Sequence, residues 1–368
     1  MIAVYTDSKF FDDYWLHKLS FPLEYTLYHS RHEYSAAHAD KKIAFTTEQF
    51  ALDYDIGDPP RPPWPYLPRP DFPDKINELS LISDLVFTFG GELHSHQWAT
   101  WDQCHHDNVY WVIPGTVTQP SALKDNIIIW HDWLQIIANL YKDHWPNKLA
   151  EISYNLPKPK YFDALLGQKR INRDAVYEGV INNNLQDKFI MTYLGDGPIT
   201  DKSDFIWEKD CFPAESKMHG TVSRCTYNGI EIFLSRVIPI DVFNQTAYSI
   251  VAETNIDNTI SFYTEKIAKP IIARRLFVVF TGYKFLENLR SVGFKTFDGI
   301  IDESYDQILD DVARYSAAIE QVKFLCNADQ VEIYNKTKDI LEHNYNLLIA
   351  TDWNKVVIDQ IQQKINSL

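Results

Sequence analysis

The stretch from Tyr248 to Phe280 reads Tyr-Ser-Ile-Val-Ala-Glu-Thr-Asn-Ile-Asp-Asn-Thr-Ile-Ser-Phe-Tyr-Thr-Glu-Lys-Ile-Ala-Lys-Pro-Ile-Ile-Ala-Arg-Arg-Leu-Phe-Val-Val-Phe. An apolar run, Tyr248 to Ala252, delivers Glu253 at its end. A polar loop follows. Thr264-Glu265-Lys266 then opens a helix, and Leu276 to Phe280 is a second apolar run. Short apolar runs on either side of a helix are the pattern of buried parallel strands. Carboxylates and a lysine at strand ends and helix starts sit where open α/β sheets bind ligands.

Working outward, the same alternation recurs. Upstream, Tyr161 to Leu166 is a strand, and Leu166-Gly167-Gln168-Lys169-Arg170-Ile171-Asn172-Arg173-Asp174 leads from it into a helix. A glycine and basic residues at a helix start form a candidate phosphate cradle, since free N–H groups and the helix dipole favour an anion there. Arg170 and Arg173 are three apart and are expected to face one anion; a solvated surface is the competing reading. Lys188 to Leu194 and Ile230 to Pro239 read as strands. Downstream, Ile308, Val312, Tyr315, Ile319 and Val322 mark an amphipathic helix by their spacing. Val331 to Leu348 and Trp353 to Ile365 are two more helices.

The first 150 residues also alternate strands and helices, as an α/β domain does. Ile2 to Tyr5, Leu85 to Phe89, Tyr110 to Ile113 and Ile127 to Trp130 are strands. Three carboxylates stand at or beside strand ends: Asp7, Glu92 after Gly90-Gly91, and Asp132. Each is a candidate general base or acceptor-binding group; Asp7 and Asp132 read equally as helix N-caps. Asp58 to Pro73 holds eight of the 18 prolines, around Trp64 and Tyr66, and is an extended loop, since proline breaks both helix and central strand. His94, His96, Cys104, His105 and His106 crowd into 13 residues, but their spacing matches no usual zinc pattern, so no metal is assigned.

The 368 residues suggest two domains. Leu156-Pro157-Lys158-Pro159-Lys160 is the linker candidate, dividing the chain into 1–155, 156–325 and a helical 326–368. The formal net charge of −15 disfavours nonspecific nucleic-acid or anionic-membrane binding by the whole surface. Four scattered cysteines fit free thiols in a reducing compartment. Neither a signal peptide nor an 18-residue apolar segment is present, so a cytoplasmic protein without a membrane span is expected.

Val251-Ala252-Glu253-Thr254-Asn255 and Thr264-Glu265-Lys266 together resemble the nucleotide-sugar motif of fucosyltransferase-like GT-B glycosyltransferases. There, an apolar strand ends in Phe-Glu-Asn-Ser and Thr-Glu-Lys opens a helix. Lys269-Pro270, Gly293-Phe294-Lys295-Thr296-Phe297, Asp302-Glu303-Ser304-Tyr305-Asp306 and the segment Lys169 to Arg173 extend the likeness to a type common in phage and bacterial genomes. It covers roughly residues 155 to 325. Two departures are Ala-Glu-Thr-Asn in place of Phe-Glu-Asn-Ser, and Pro270, which is expected to kink the helix or delay its start.

The resemblance implies an α/β, GT-B-like fold: two Rossmann-like domains facing a cleft, with C-terminal helices, the last possibly packing back on the first domain. It implies transfer of a sugar from a nucleoside-diphosphate sugar to a hydroxyl, in a glycan or a hydroxymethylated base of phage DNA, without a cofactor. The donor site is Arg170, Arg173, Glu253, Thr264, Glu265 and Lys266. Carboxylates accept the ribose hydroxyl hydrogens; cations stabilise the diphosphate leaving group. In the competing reading, Glu265 pairs with Lys269 on the helix surface. The base, if the anomeric centre inverts, comes from Glu92, Asp7 or Asp132. A non-catalytic nucleotide- or glycan-binding protein is the alternative function.

Overall fold

The computed structural model describes residues 1–7, 11–47, 72–90, 104–118, 124–195, 224–227 and 230–368. It is an α/β chain with parallel sheets and C-terminal helices. Two compact units divide it, 1–132 with 352–368, and 133–351. The sequence reading set its boundary at 155, within the second unit.

The first unit holds a parallel six-stranded sheet. Its strands are β1 (Ile2–Thr6), β2 (Tyr25–Tyr28), β3 (Lys41–Thr47), β4 (Leu85–Phe89), β5 (Val109–Ile113) and β6 (Ile127–Ile129), in spatial order β2-β1-β3-β4-β5-β6. All five residues of β1 and of β4 are buried, because a parallel sheet is covered on both faces. Helices α1 (Arg31–Ala36) and α2 (Phe72–Ile82) lie between strands. Phe11 to Lys18 forms two short helical turns that bring Phe11, Trp15 and Leu16 into the core. The strand order reverses between β1 and β3, which opens a crevice outside their carboxyl ends.

The second unit repeats this logic. It begins with α3, which spans Asp132–Asn139 from the unit boundary. Its sheet consists of β7 (Lys160–Gln168), β8 (Phe189–Gly195), β11 (Thr246–Ala252) and β12 (Phe277–Phe280), all parallel in the order β12-β11-β7-β8. A separate antiparallel pair, β9 (Arg224–Tyr227) with β10 (Ile230–Phe233), lies between β8 and β11 in sequence. Helix α4 (Ile171–Asn182) follows β7, α5 (Ile240–Gln245) precedes β11, and α6 (Glu265–Ile272) joins β11 to β12. The order reverses between β7 and β11. Those are the two strands whose ends carry the Arg170–Arg173 and Glu253–Lys266 segments.

Four expectations change. The strand expected over Ile230 to Pro239 stops at Phe233; a helical turn, Leu234–Arg236, follows, and Pro239 is the residue before α5. Of the two outcomes expected of Pro270, a kink or a delayed start, the delay does not occur: the helix starts at Glu265 and holds the proline inside. The helix expected from Ile308 begins at Asp311, because Asp310 caps it by accepting from the Ala313 N–H at 2.8 Å. Val312 is consequently in the first turn and 64% exposed, while Tyr315, Ile319 and Val322 of this helix, α8 (Asp311–Asn327), are buried.

The conspicuous segments after β12 serve the fold. Helix α7 (Phe285–Ser291) is capped by Asp306, whose two oxygens accept from the N–H groups of Leu286 and Glu287, each at 2.9 Å. Buried Glu303 accepts from Thr296 Oγ1 at 2.6 Å, the Phe297 N–H at 2.7 Å and Arg290 at 3.0 Å. Gly-Phe-Lys-Thr-Phe and Asp-Glu-Ser-Tyr-Asp are thus two halves of one hydrogen-bonded knot. Glu303→Ala leaves a buried hydroxyl and N–H unpaired and is expected to cost about 2–3 kcal/mol. Urea unfolding checks this; a cost under about 0.5 kcal/mol contradicts the knot.

Helices α9 (Gln330–Ala350) and α10 (Trp353–Asn366) end the chain. In α10, Trp353, Val357, Ile361 and Ile365 recur every four residues and are buried, the last three in the core of the first unit. The helix therefore belongs with that unit although α9 belongs with the other.

Candidate functional site

At the end of β11 the chain places Glu253, fully buried, opposite the start of α6. Thr264 is the N-cap, extended at φ −105°, and its hydroxyl accepts from the Lys266 N–H at 3.2 Å. The same hydroxyl donates to Glu253 Oε2 at 2.5 Å, and the Thr264 N–H donates to Oε1 at 3.2 Å. Both Glu253 oxygens thus accept from Thr264. Glu253 fastens a strand end to a helix start and positions the Thr-Glu-Lys turn. Burial pushes its carboxyl up, with the Lys266 ammonium pulling the other way.

Glu265 and Lys266 form an ion pair at 2.8 Å. The Glu265 side chain is 7% exposed and that of Lys266 27%, so Lys266 is the more exposed member of the pair. Burial alone would raise Glu265, but Lys266 and then Lys269 hold its carboxyl below the usual range. Burial alone would lower Lys266, but Glu265 and Glu253 hold its ammonium above the usual lysine range. Glu265 thus takes Lys266, not Lys269, as its hydrogen-bonded partner.

The second basic element meets this one. Arg170 is the N-cap of α4 and extended, at φ −155°. Arg170 and Arg173 are therefore the N-cap and the third residue of α4. Arg173, buried in the first turn, reaches toward Thr254, with 3.5 Å between Nη2 and Oγ1. It is close enough to Lys266 to push that ammonium down, against the two carboxylates. Buried Asn172, which sequence reasoning passed over, donates to the carbonyls of Glu253 at 3.0 Å and Phe280 at 2.8 Å. It ties the carboxyl ends of β11 and β12 to the start of α4. Its only signal in the sequence was its place between the two arginines.

Gly167 completes the arrangement. A Cβ there would meet Arg173 Nη1 at 3.3 Å. Gly167→Val is expected to push the guanidinium off the sheet end and weaken anion binding roughly tenfold, about one charge-assisted hydrogen bond. Titration with a nucleoside diphosphate measures it; unchanged affinity would mean that Arg173 does not face the ligand.

In the first unit, Asp7 follows β1 at the strand-order reversal. It pairs with buried Lys75 and accepts from Thr46 Oγ1 at 2.6 Å. Its Oδ1 is buried without a hydrogen-bond partner. Asp132 is the first residue of α3. Glu92, His94, His96, Trp64 and Tyr66 lie outside the described residues. Cys104 is buried and forms no disulfide, and the His106 ring bonds Asn77 Oδ1 at 2.8 Å. Among the described residues no group of three His, Cys, Asp or Glu side chains is arranged to hold a metal, and no helix is long and apolar enough to cross a membrane.

The fold and site define a parallel α/β protein whose second unit gathers two helix starts, an arginine and a lysine at a strand-order reversal. Neither protein-family models nor curated proteins give a match to the chain.

Proposed function

We propose that the chain is a GT-B-type glycosyltransferase that holds a nucleoside-diphosphate sugar in its second unit and transfers the sugar to a hydroxyl. One observation carries the reading: Arg173 and the ion-paired Glu265–Lys266 converge at the reversal between β7 and β11. Open α/β sheets take their ligands at such a reversal. Cations at two helix starts suit a diphosphate, both in the bound donor and as negative charge grows on the leaving group. Glu265 keeps Lys266 charged; Glu253 holds the turn in place. The hydroxyl acceptor, in a glycan or a modified DNA base, belongs to the first unit, with Asp7, Glu92 and Asp132 as the candidate bases.

A thermal-shift panel of uridine, guanosine, cytidine and adenosine diphosphate sugars tests the reading. A donor at 100 times its dissociation constant adds about 2.7 kcal/mol of stability. One base is expected to raise the melting temperature above the others; a flat panel counts against the donor site. Binding without hydrolysis or transfer to any hydroxyl acceptor favours the non-catalytic alternative.

A further inference from the structure

Beside the Thr-Glu-Lys turn lies an open pocket, shared with Lys266, whose other residues the donor reading has not used. Its walls are Leu165, Leu166, Ile250 and Ala252 of the sheet, Pro239 and Phe243 at α5, and Lys266, Lys269 and Pro270 of α6. Asp163 and Ser249 are its remaining polar lining. Asp163 is already paired with Arg275 at 2.7 Å, and Ser249 Oγ both donates to Asp163 and accepts from Arg275. The lysines are therefore the groups left to meet a ligand.

Lys269 stands one turn after Lys266. It donates one hydrogen bond, to the Ser235 carbonyl at 2.7 Å, whereas an ammonium carries three donors. Glu265, the carboxylate at helical spacing from it, is bonded to Lys266. Two cations thus share one pocket, and the carboxylates near them are already bonded, Glu265 to Lys266, Asp163 to Arg275 and Glu253 to Thr264. Burial, helped by repulsion from Lys266, lowers the Lys269 ammonium to about 8, against attraction from Glu265, Asp163 and Glu253. An anion in the pocket would relieve that repulsion.

We propose that this pocket holds a phosphate group and that Lys269 is its second cation beside Lys266. The proposal rests on the donor reading, in which the phosphate is one of the donor's two, and adds a binding residue to it. The test titrates the full chain with inorganic pyrophosphate and, separately, with the nucleoside diphosphates. Wild-type protein is expected to bind pyrophosphate. Lys269→Met is expected to weaken it roughly 10- to 100-fold, the range for a hydrogen bond to a charged group, while Lys269→Arg keeps most of the affinity. Should Lys269→Met melt early, Lys269→Gln, which retains a donor for the Ser235 carbonyl, carries the test instead.

Equal pyrophosphate affinity in wild type and variant overturns the proposal, as does no binding by wild type. Nucleoside diphosphate binding that ignores Lys269 removes the pocket and leaves the donor site standing. Pyrophosphate binding that depends on Lys269, with no nucleoside diphosphate bound, keeps the pocket and removes the donor.

Discussion

Arg275→Ala is expected to lower stability by about 3–5 kcal/mol, the cost of leaving a buried charge without its partner. Arg275 is buried two residues before β12, and every nitrogen of its guanidinium is used. Nε donates to Ser249 Oγ at 2.9 Å, and Nη1 to the carbonyls of Phe243 and Thr246 at 2.9 and 2.8 Å. Nη2 donates to Asp163 Oδ1 and Thr246 Oγ1 at 2.7 Å and to the Tyr248 carbonyl at 2.9 Å. One side chain therefore joins β7, β11 and the end of α5. Urea unfolding measures the loss; a cost below about 1 kcal/mol contradicts this role.

The pH dependence of that variant has a definite sign. Burial already pushes the Asp163 carboxyl up, with Arg275 pulling it down. Without Arg275 it rises further above its unfolded value of about 3.9. A carboxyl raised in the folded state binds its proton more tightly there than in the unfolded chain. The variant therefore regains stability as pH falls through the folded pKa, and loses it again as pH rises. Asp163→Asn added to Arg275→Ala should recover part of the loss at neutral pH, because the unpaired charge is gone.

Lys266→Ala carries the second large effect. It removes the partner of Glu265, which is 7% exposed in its side chain, and the cation that holds down the fully buried Glu253 carboxyl. Nucleoside diphosphate binding is expected to fall roughly 10- to 100-fold, as for the loss of a hydrogen bond to a charged group, and turnover with it. Stability is expected to fall too, so Lys266→Ala/Glu265→Gln is the companion variant. It restores the fold without restoring the cation, and its affinity should stay low. Calorimetric titration beside a melting curve separates the two effects. Wild-type affinity in the double variant contradicts the role given to Lys266.

The strand, loop and helix around Glu253 and Thr264-Glu265-Lys266 were legible because each carries a local cause: an apolar run, an N-capping threonine, a helix start. The basic segment before α4 was legible for the same reason. What could not be read is which polar group each charge would meet. Asp163 and Arg275 lie 112 residues apart, and no local pattern couples them. Glu253 was read as a ligand carboxylate from its strand end, and its two hydrogen bonds to Thr264 had no local signal. The three-residue spacing of Arg170 and Arg173 did not show that one is the N-cap of α4 and the other a buried residue of its first turn. Val312 failed similarly, because Asp310 fixed the helix start beyond Ile308. In the first unit, alternating strands foretold the sheet, while the base among Asp7, Glu92 and Asp132 depends on an acceptor that local patterns do not encode.

The central claim is that Arg173 and Lys266 hold a diphosphate at the reversal between β7 and β11. The direct measurement is calorimetric titration of wild type and the Arg173→Ala/Lys266→Ala variant with each nucleoside diphosphate. The account predicts saturable wild-type binding of one of them, and a loss of roughly 100-fold or more in the variant, from two charge-assisted contacts. No binding by wild type, or equal binding by both proteins while each remains folded, contradicts it.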